Sequence, residues 1–199
     1  MDYNDIKARL ERLYLALNSR LDSNIESRIR VEHGVEGIYH TVSVSFDGGT
    51  DVADLGNKVG WIIGGIADLK DNLKNEVRRR GMSSGLIENK IKGSPHLQLI
   101  IDLANSQKHG YPLTKPERSG RSPKIVDIGT GLQGRTDKDN PSMSFSMDPF
   151  TGKFSSTGNV AIVISADIVD ADDNYIMSLE DLIEGAMGQW QEIFELLKL

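Results

Sequence analysis

Between Val52 and Val77 the apolar residues Val52, Leu55, Val59, Ile62, Ile66, Leu69, Leu73 and Val77 recur at steps of three or four. That spacing places every one of them on a single stripe of a helix about seven turns long, which Gly81 then closes. The composition fits a modest aliphatic core. The chain has 199 residues, 38% of them apolar but only 6% aromatic. Such a length suits one globular domain. The absence of Cys excludes a disulfide framework, a thiolate zinc site and a cysteine nucleophile. Neither a run of apolar residues long enough to span a bilayer nor an apolar leader is present. The expectation is therefore a soluble, cytoplasmic protein with no membrane segment.

The long helix carries a second pattern. Gly56, Gly60 and Gly64 share one face at i, i+4 and i+8. Glycine costs a helix about 1 kcal/mol relative to Ala, so such a row is expected to mark a close approach by another backbone. Asp54, Lys58 and Asp68 interrupt it and exclude a membrane reading.

Around this helix the pattern predicts further elements. Ile6, Leu10, Leu13, Leu17, Leu21, Ile25 and Ile29 place a helix over 5–30, and alternation from Ile38 to Phe46 places a half-buried strand. Helical spacing runs from Ser84 to Lys92, breaks at Gly93-Ser94-Pro95 and resumes to Lys108. Residues 110–124 read as an exposed basic loop. Beyond it the sequence turns to β. A short strand covers 124–128, a polar loop 129–141, an alternating stretch 142–147 and the strongest strand 159–169, with 175–177 pairing back. Ser178 caps a last helix whose apolar face includes Leu182, Ala186, Trp190 and Phe194. The sum is an α+β fold, a helical bundle with an antiparallel β-sheet inserted before the C-terminal helix. It is read as a single domain over 1–199, with a helical core of about 1–110 plus 178–199 and a β-rich insertion of about 124–177.

The net charge of −6 conceals a partition. Residues 70–124 hold 12 Lys or Arg against 5 Asp or Glu, whereas 137–199 hold 3 against 12. Residues 1–69 hold 7 against 11. An anionic partner would approach the basic middle, or the acidic parts fold against it; both uses of charge look alike in a sequence.

The densest polar constellation lies in that middle. Asp102, Asn105 and His109 fall on one helical face at i, i+3 and i+7, with Lys108 adjacent. As a site, His109 would act as general acid or base beside Asn105 and Asp102, while Lys108, Lys70, Arg118 and Arg121 hold phosphate. The structural alternative is a helix C-terminus, where Lys and His complement the macrodipole and Asp102 joins a buried network.

Asp68-Leu-Lys70-Asp71, then Pro95, then Asp102-x-x-Asn105-x-x-Lys108-His109, resembles uncharacterised bacterial and phage helical-bundle proteins near the HEPN domains, over about 59–121. The resemblance implies a helical bundle, often a homodimer, in a group that includes metal-independent ribonucleases of defence or toxin systems. The HEPN catalytic motif pairs an Arg and a polar residue with a His a few positions later. No Arg precedes His109 at that spacing, so the resemblance carries over His109 alone. Arg28 to His33 has the separation, but Ile29 stands at the polar position.

A second pattern, Asp170, Asp172, Asn174 and Asp181, places oxygens as in a calcium loop, with Tyr175 where the turn wants Gly. The same residues suit a hairpin turn followed by a helix cap. His40 reads as a core histidine, and Trp61 and Trp190 as core or interface anchors. Gly129 to Gly134 superficially matches a dinucleotide fingerprint but opens no helix.

Two functions are expected. The first is a HEPN-like module binding RNA or a nucleotide, without a cofactor. The second is a non-enzymatic assembly module, a homo-oligomer or a binder of another protein, with the glycine face of the long helix and the Trp-bearing last helix as seams.

Overall fold

The structure, a computed structural model of the chain, describes residue 8 and residues 28–33, 40–45, 52–110, 117–135, 144–147, 154–157 and 159–197. Its fold is α+β, with four helices of nine residues or more among the described residues and a three-stranded antiparallel sheet before the C-terminal helix. The helices are α1 (Val52–Arg79), α2 (Gly85–Gly93), α3 (Pro95–His109) and α4 (Leu179–Leu196). The strands are β1 (Arg28–His33), β2 (His40–Ser45), β3 (Lys124–Arg135), β4 (Ser144–Met147), β5 (Phe154–Thr157), β6 (Asn159–Val169) and β7 (Tyr175–Ser178).

The chain forms two compact units. One takes in Gly56–Ile128 and Ser165–Leu199, the other Arg20–Leu55 and Gly129–Ile164. The second unit holds two hairpins. β1 pairs antiparallel with β2, Val31 opposite Val42, and β4 pairs antiparallel with β5, Phe145 opposite Ser156.

The first unit holds the helical core. The stripe foreseen for α1 is buried at Val59, Ile62, Ile66, Leu69, Leu73 and Val77. It is completed by Ile87 and Ile91 of α2, Leu97, Ile100 and Ile101 of α3, and Leu182, Ala186 and Phe194 of α4. α3 packs on α2 and on α4, and α4 packs on β7. Trp190 is fully buried, and its indole N–H donates to the carbonyl of Ile66 at 3.1 Å, tying α4 to the middle of α1. The last helix therefore spends its Trp inside the chain's own core rather than on a seam.

Local chemistry sets the boundaries. α1 ends as a Schellman motif: Gly81 takes a φ of 74°, its N–H bonds to the carbonyl of Arg78, and that of Met82 bonds to the carbonyl of Val77. Ser94 separates α2 from α3; its hydroxyl accepts from the amide of Leu97 at 3.3 Å, and Pro95 opens α3. Ser178 caps α4 by accepting from the amide of Asp181 at 3.0 Å.

Three expectations are corrected. Residues 28–30 lie in β1, paired with β2, so a helix over 5–30 does not reach Arg30. Ala8 is helical, and the rest of that segment lies outside the described residues. β3 continues through Gly129–Arg135, where a polar loop was expected, because a pleated neighbour overrides weak strand propensity. The glycine row of α1 meets no backbone among the described residues: Gly56 faces the Ile128 side chain, Gly60 the Gln107 side chain, and Gly64 open space. The close approach falls instead at Gly185 of α4, where an added Cβ would lie 2.4 Å from the His96 ring.

Candidate functional site

Asp102 is a carboxylate inside the core, 1% exposed on α3. A charge taken out of water needs donors on its oxygens, and these come from the segment 118–119. Oδ1 accepts from the amide of Arg118 at 3.0 Å, while Oδ2 accepts from the amide of Ser119 at 2.8 Å and its hydroxyl at 2.7 Å. All of these bonds run to the loop, none to His109. Asn105 is half-buried on the next turn, and His109, the last residue of α3, is exposed. The helical face foreseen from the spacing therefore climbs from the core to solvent, with Asp102 bonded at its buried end and His109 at its exposed end.

Three of the four cations proposed to hold phosphate are paired with acids of this chain. Arg118 forks onto Glu88 of α2, with Nη1 at 2.8 Å and Nη2 at 3.4 Å. Glu88 also receives the ammonium of Lys74. Chiefly the Arg118 guanidinium, and then Lys74, hold the Glu88 carboxyl down to about 2 against the opposing effect of burial. Lys108 lies 3.3 Å from Asp68 across α3 and α1, and Lys70 lies 3.7 Å from Asp71. Arg121 is exposed; its amide donates to the Ser119 hydroxyl at 3.3 Å, and its carbonyl accepts from the amide of Ala171.

Glu76 follows the same pattern. It is 2% exposed, and Arg79 and Arg80 bond its two oxygens at 2.6–2.9 Å. Those bonds, led by Arg79, lower its carboxyl to about 2 despite burial. Glu117 accepts from the amide and hydroxyl of Ser122 and so holds Ser122 at a φ of 47°. Four of the five acids of the basic middle thus hydrogen-bond neighbours within the chain, and the fifth, Asp71, lies 3.7 Å from the adjacent Lys70. Glu88, Lys74 and Ser119 were missed as members of this network; the signal was the presence of five acids spaced among twelve bases. The loop expected to be exposed is half-buried at Glu117–Ser119 and buried at Pro123.

At the other pattern, Oδ1 of Asp170 accepts from the amides of Asp172 and Asn174 at 2.9 Å each, and the Asn174 side-chain amide reaches both carboxylate oxygens. The Asn174 bonds, foremost, lower the Asp170 carboxyl. Asp181 faces the Ser178 hydroxyl at 2.8 Å, and Lys124 reaches Asp173. This is the bonding of a β6–β7 hairpin turn and a helix cap. Among the described residues, no cluster of three His, Asp or Glu is placed to hold a metal ion, and no helix is long and apolar enough to cross a membrane.

An open hollow of about 520 Å³, lined by Ser83, Gly85, Leu86, Asn89, Lys90 and Leu196, contains none of the residues foreseen as a site. His40 lies in β2, its side chain outside the described residues. Comparison with known family models, curated proteins and solved structures finds no match to this chain.

Proposed function

We propose that this chain is a non-enzymatic assembly module that works by self-association. One observation carries the reading. Trp61 stands 59% exposed on α1, whereas the other Trp is sealed in the core. An indole offers more apolar area than any other side chain, and leaving it in water forgoes about 1.5–3 kcal/mol of burial. Large aromatics are enriched where protein surfaces meet. The ion-pair network supports the same reading, since Arg118, Lys108 and Lys70 already have acidic partners. Sedimentation velocity on the full chain over a concentration series tests it. The expected result is a reversible shift from monomer to oligomer; a monomer at every concentration overturns it.

A second reading, a HEPN-like module binding RNA or a nucleotide, rests on the exposed end of α3, where Lys108 and His109 lie in solvent, and on exposed Arg121. Anisotropy with labelled RNA in about 50 mM salt tests it. Binding that weakens in Lys108→Ala and Arg121→Ala and falls steeply with salt supports it; no binding overturns it.

A further inference from the structure

Two helices line the open hollow of about 520 Å³, and the faces they bring to it carry opposite charge. From α2 come Leu86, Asn89 and Lys90, which share one face at i, i+3 and i+4. From α4 comes Leu196, and Glu192 stands one turn before it on the same face. Leu196 is 57% exposed, Glu192 is exposed, and Leu86 and Lys90 are half-buried. Among the described residues, no acid is within ion-pair distance of Lys90 and no base within that of Glu192. The Glu192 carboxylate accepts from the neutral side-chain amide of Gln189, one turn back on its own helix, at 3.2 Å.

Sites for small molecules bury most of the ligand. A hollow as open as this one suits instead a side chain standing on another protein surface. The order of the residues names that surface. Along α2 a leucine is followed four residues later by a cation, and along α4 an anion is followed four residues later by a leucine. Laid antiparallel, α2 of one copy and α4 of another set leucine against leucine and cation against anion. A two-fold axis makes that match twice, because each copy brings both helices.

We infer that the hollow between α2 and α4 is a docking surface for a second copy of this chain, with Leu196 of each copy against the other copy's Leu86 and each Lys90 paired with the other copy's Glu192. The inference rests on the association reading above and gives it a contact apart from Trp61. The two charges fix the direction of the crossing. A parallel arrangement would set Lys90 beside Leu196 and Glu192 beside Leu86, leaving both charges unpaired against apolar groups.

Sedimentation velocity on charge variants of the full chain tests this, with folding checked by circular dichroism. Lys90→Glu and Glu192→Lys are each expected to raise the dimer dissociation constant at least about tenfold, because like charges then face one another. An equimolar mixture of the two variant chains is expected to recover wild-type association to within about threefold. In the mixed pair the two introduced charges face each other with opposite sign, and so do the two native ones. Leu196→Asn is expected to weaken the dimer at least about fivefold. Association that is unchanged in Lys90→Glu and in Leu196→Asn, but lost in Trp61→Ala, overturns this surface and leaves the association reading standing. Variants that fail alone and fail to recover when mixed overturn the facing of Lys90 and Glu192. A wild-type chain that stays monomeric at every concentration overturns both readings.

Discussion

The amide of Ser119 donates to the buried carboxylate of Asp102 at 2.8 Å, and through that bond a loop without regular structure is fastened to the middle of a core helix. The Ser119 hydroxyl and the Arg118 amide complete the clasp. The same segment places the Arg118 guanidinium on Glu88, so α2 and α3 are joined through the loop by charge as well as by packing.

Removing the clasp has a defined cost. Asp102→Ala leaves two amides and a hydroxyl without their acceptor and opens space in the core. The expected loss is about 2–4 kcal/mol of unfolding free energy. Urea denaturation followed by circular dichroism measures it. Asp102→Asn keeps the volume but converts charged acceptors to one neutral oxygen and a donor, and is expected to lose about 1–3 kcal/mol. A wild-type midpoint in both variants would show that the clasp contributes nothing.

Stability should also fall in acid with a specific origin. Glu76 and Glu88 are held down to about 2, below their ordinary value of 4.5. Each carboxyl is lowered by folding, so the unfolded chain binds more protons between those values. The stabilisation is fully present above about pH 5, and it is lost as the pH drops through 4.5 towards 2. Thermal unfolding from pH 7 to pH 2 should trace that loss. Glu88→Gln should be less stable at pH 7 and flatter across the acid range, and an unchanged acid slope in that variant would remove Glu88 from the account.

Gly185 is the glycine the helical core depends on. Its neighbour across the α3–α4 contact is His96, whose ring atoms lie 2.4–2.7 Å from where a Cβ would stand. Gly185→Ala should therefore destabilise the chain by about 1–3 kcal/mol, although alanine is the better helix former. His96→Ala in the same chain relieves the clash and should recover much of the loss. A double-mutant cycle on chemical denaturation reads the coupling, and simple additivity would refute the contact.

The helices were legible because their information is local. The stripe of α1, the break at Ser94-Pro95 and the cap at Ser178 each lie within a few residues of the feature they determine. β3 was legible only to Ile128, since Gly129 to Arg135 extend a strand whose partner, β6, lies far along the chain. The glycine row misled for a related reason. Glycine spacing states where a neighbour can come close, and only the packed helices state that it is the His96 ring at Gly185. The polar constellation divided in the same way. Its helical face was readable from spacing, but the direction of the Asp102 carboxylate depends on where residues 118–119 return. The fate of the positive charges depends on acids such as Glu88, thirty residues before Arg118.

The hydrogen bond from Trp190 to Ile66 spans 124 residues of chain. On the ribosome the N-terminal partner is made long before its counterpart exists. α1, α2 and α3 emerge with Ile66 and its neighbours lacking their cover, and the groove stays unsealed until α4 leaves the exit tunnel. During synthesis the apolar face of α1 around Ile66 therefore waits for α4, whose arrival completes its cover.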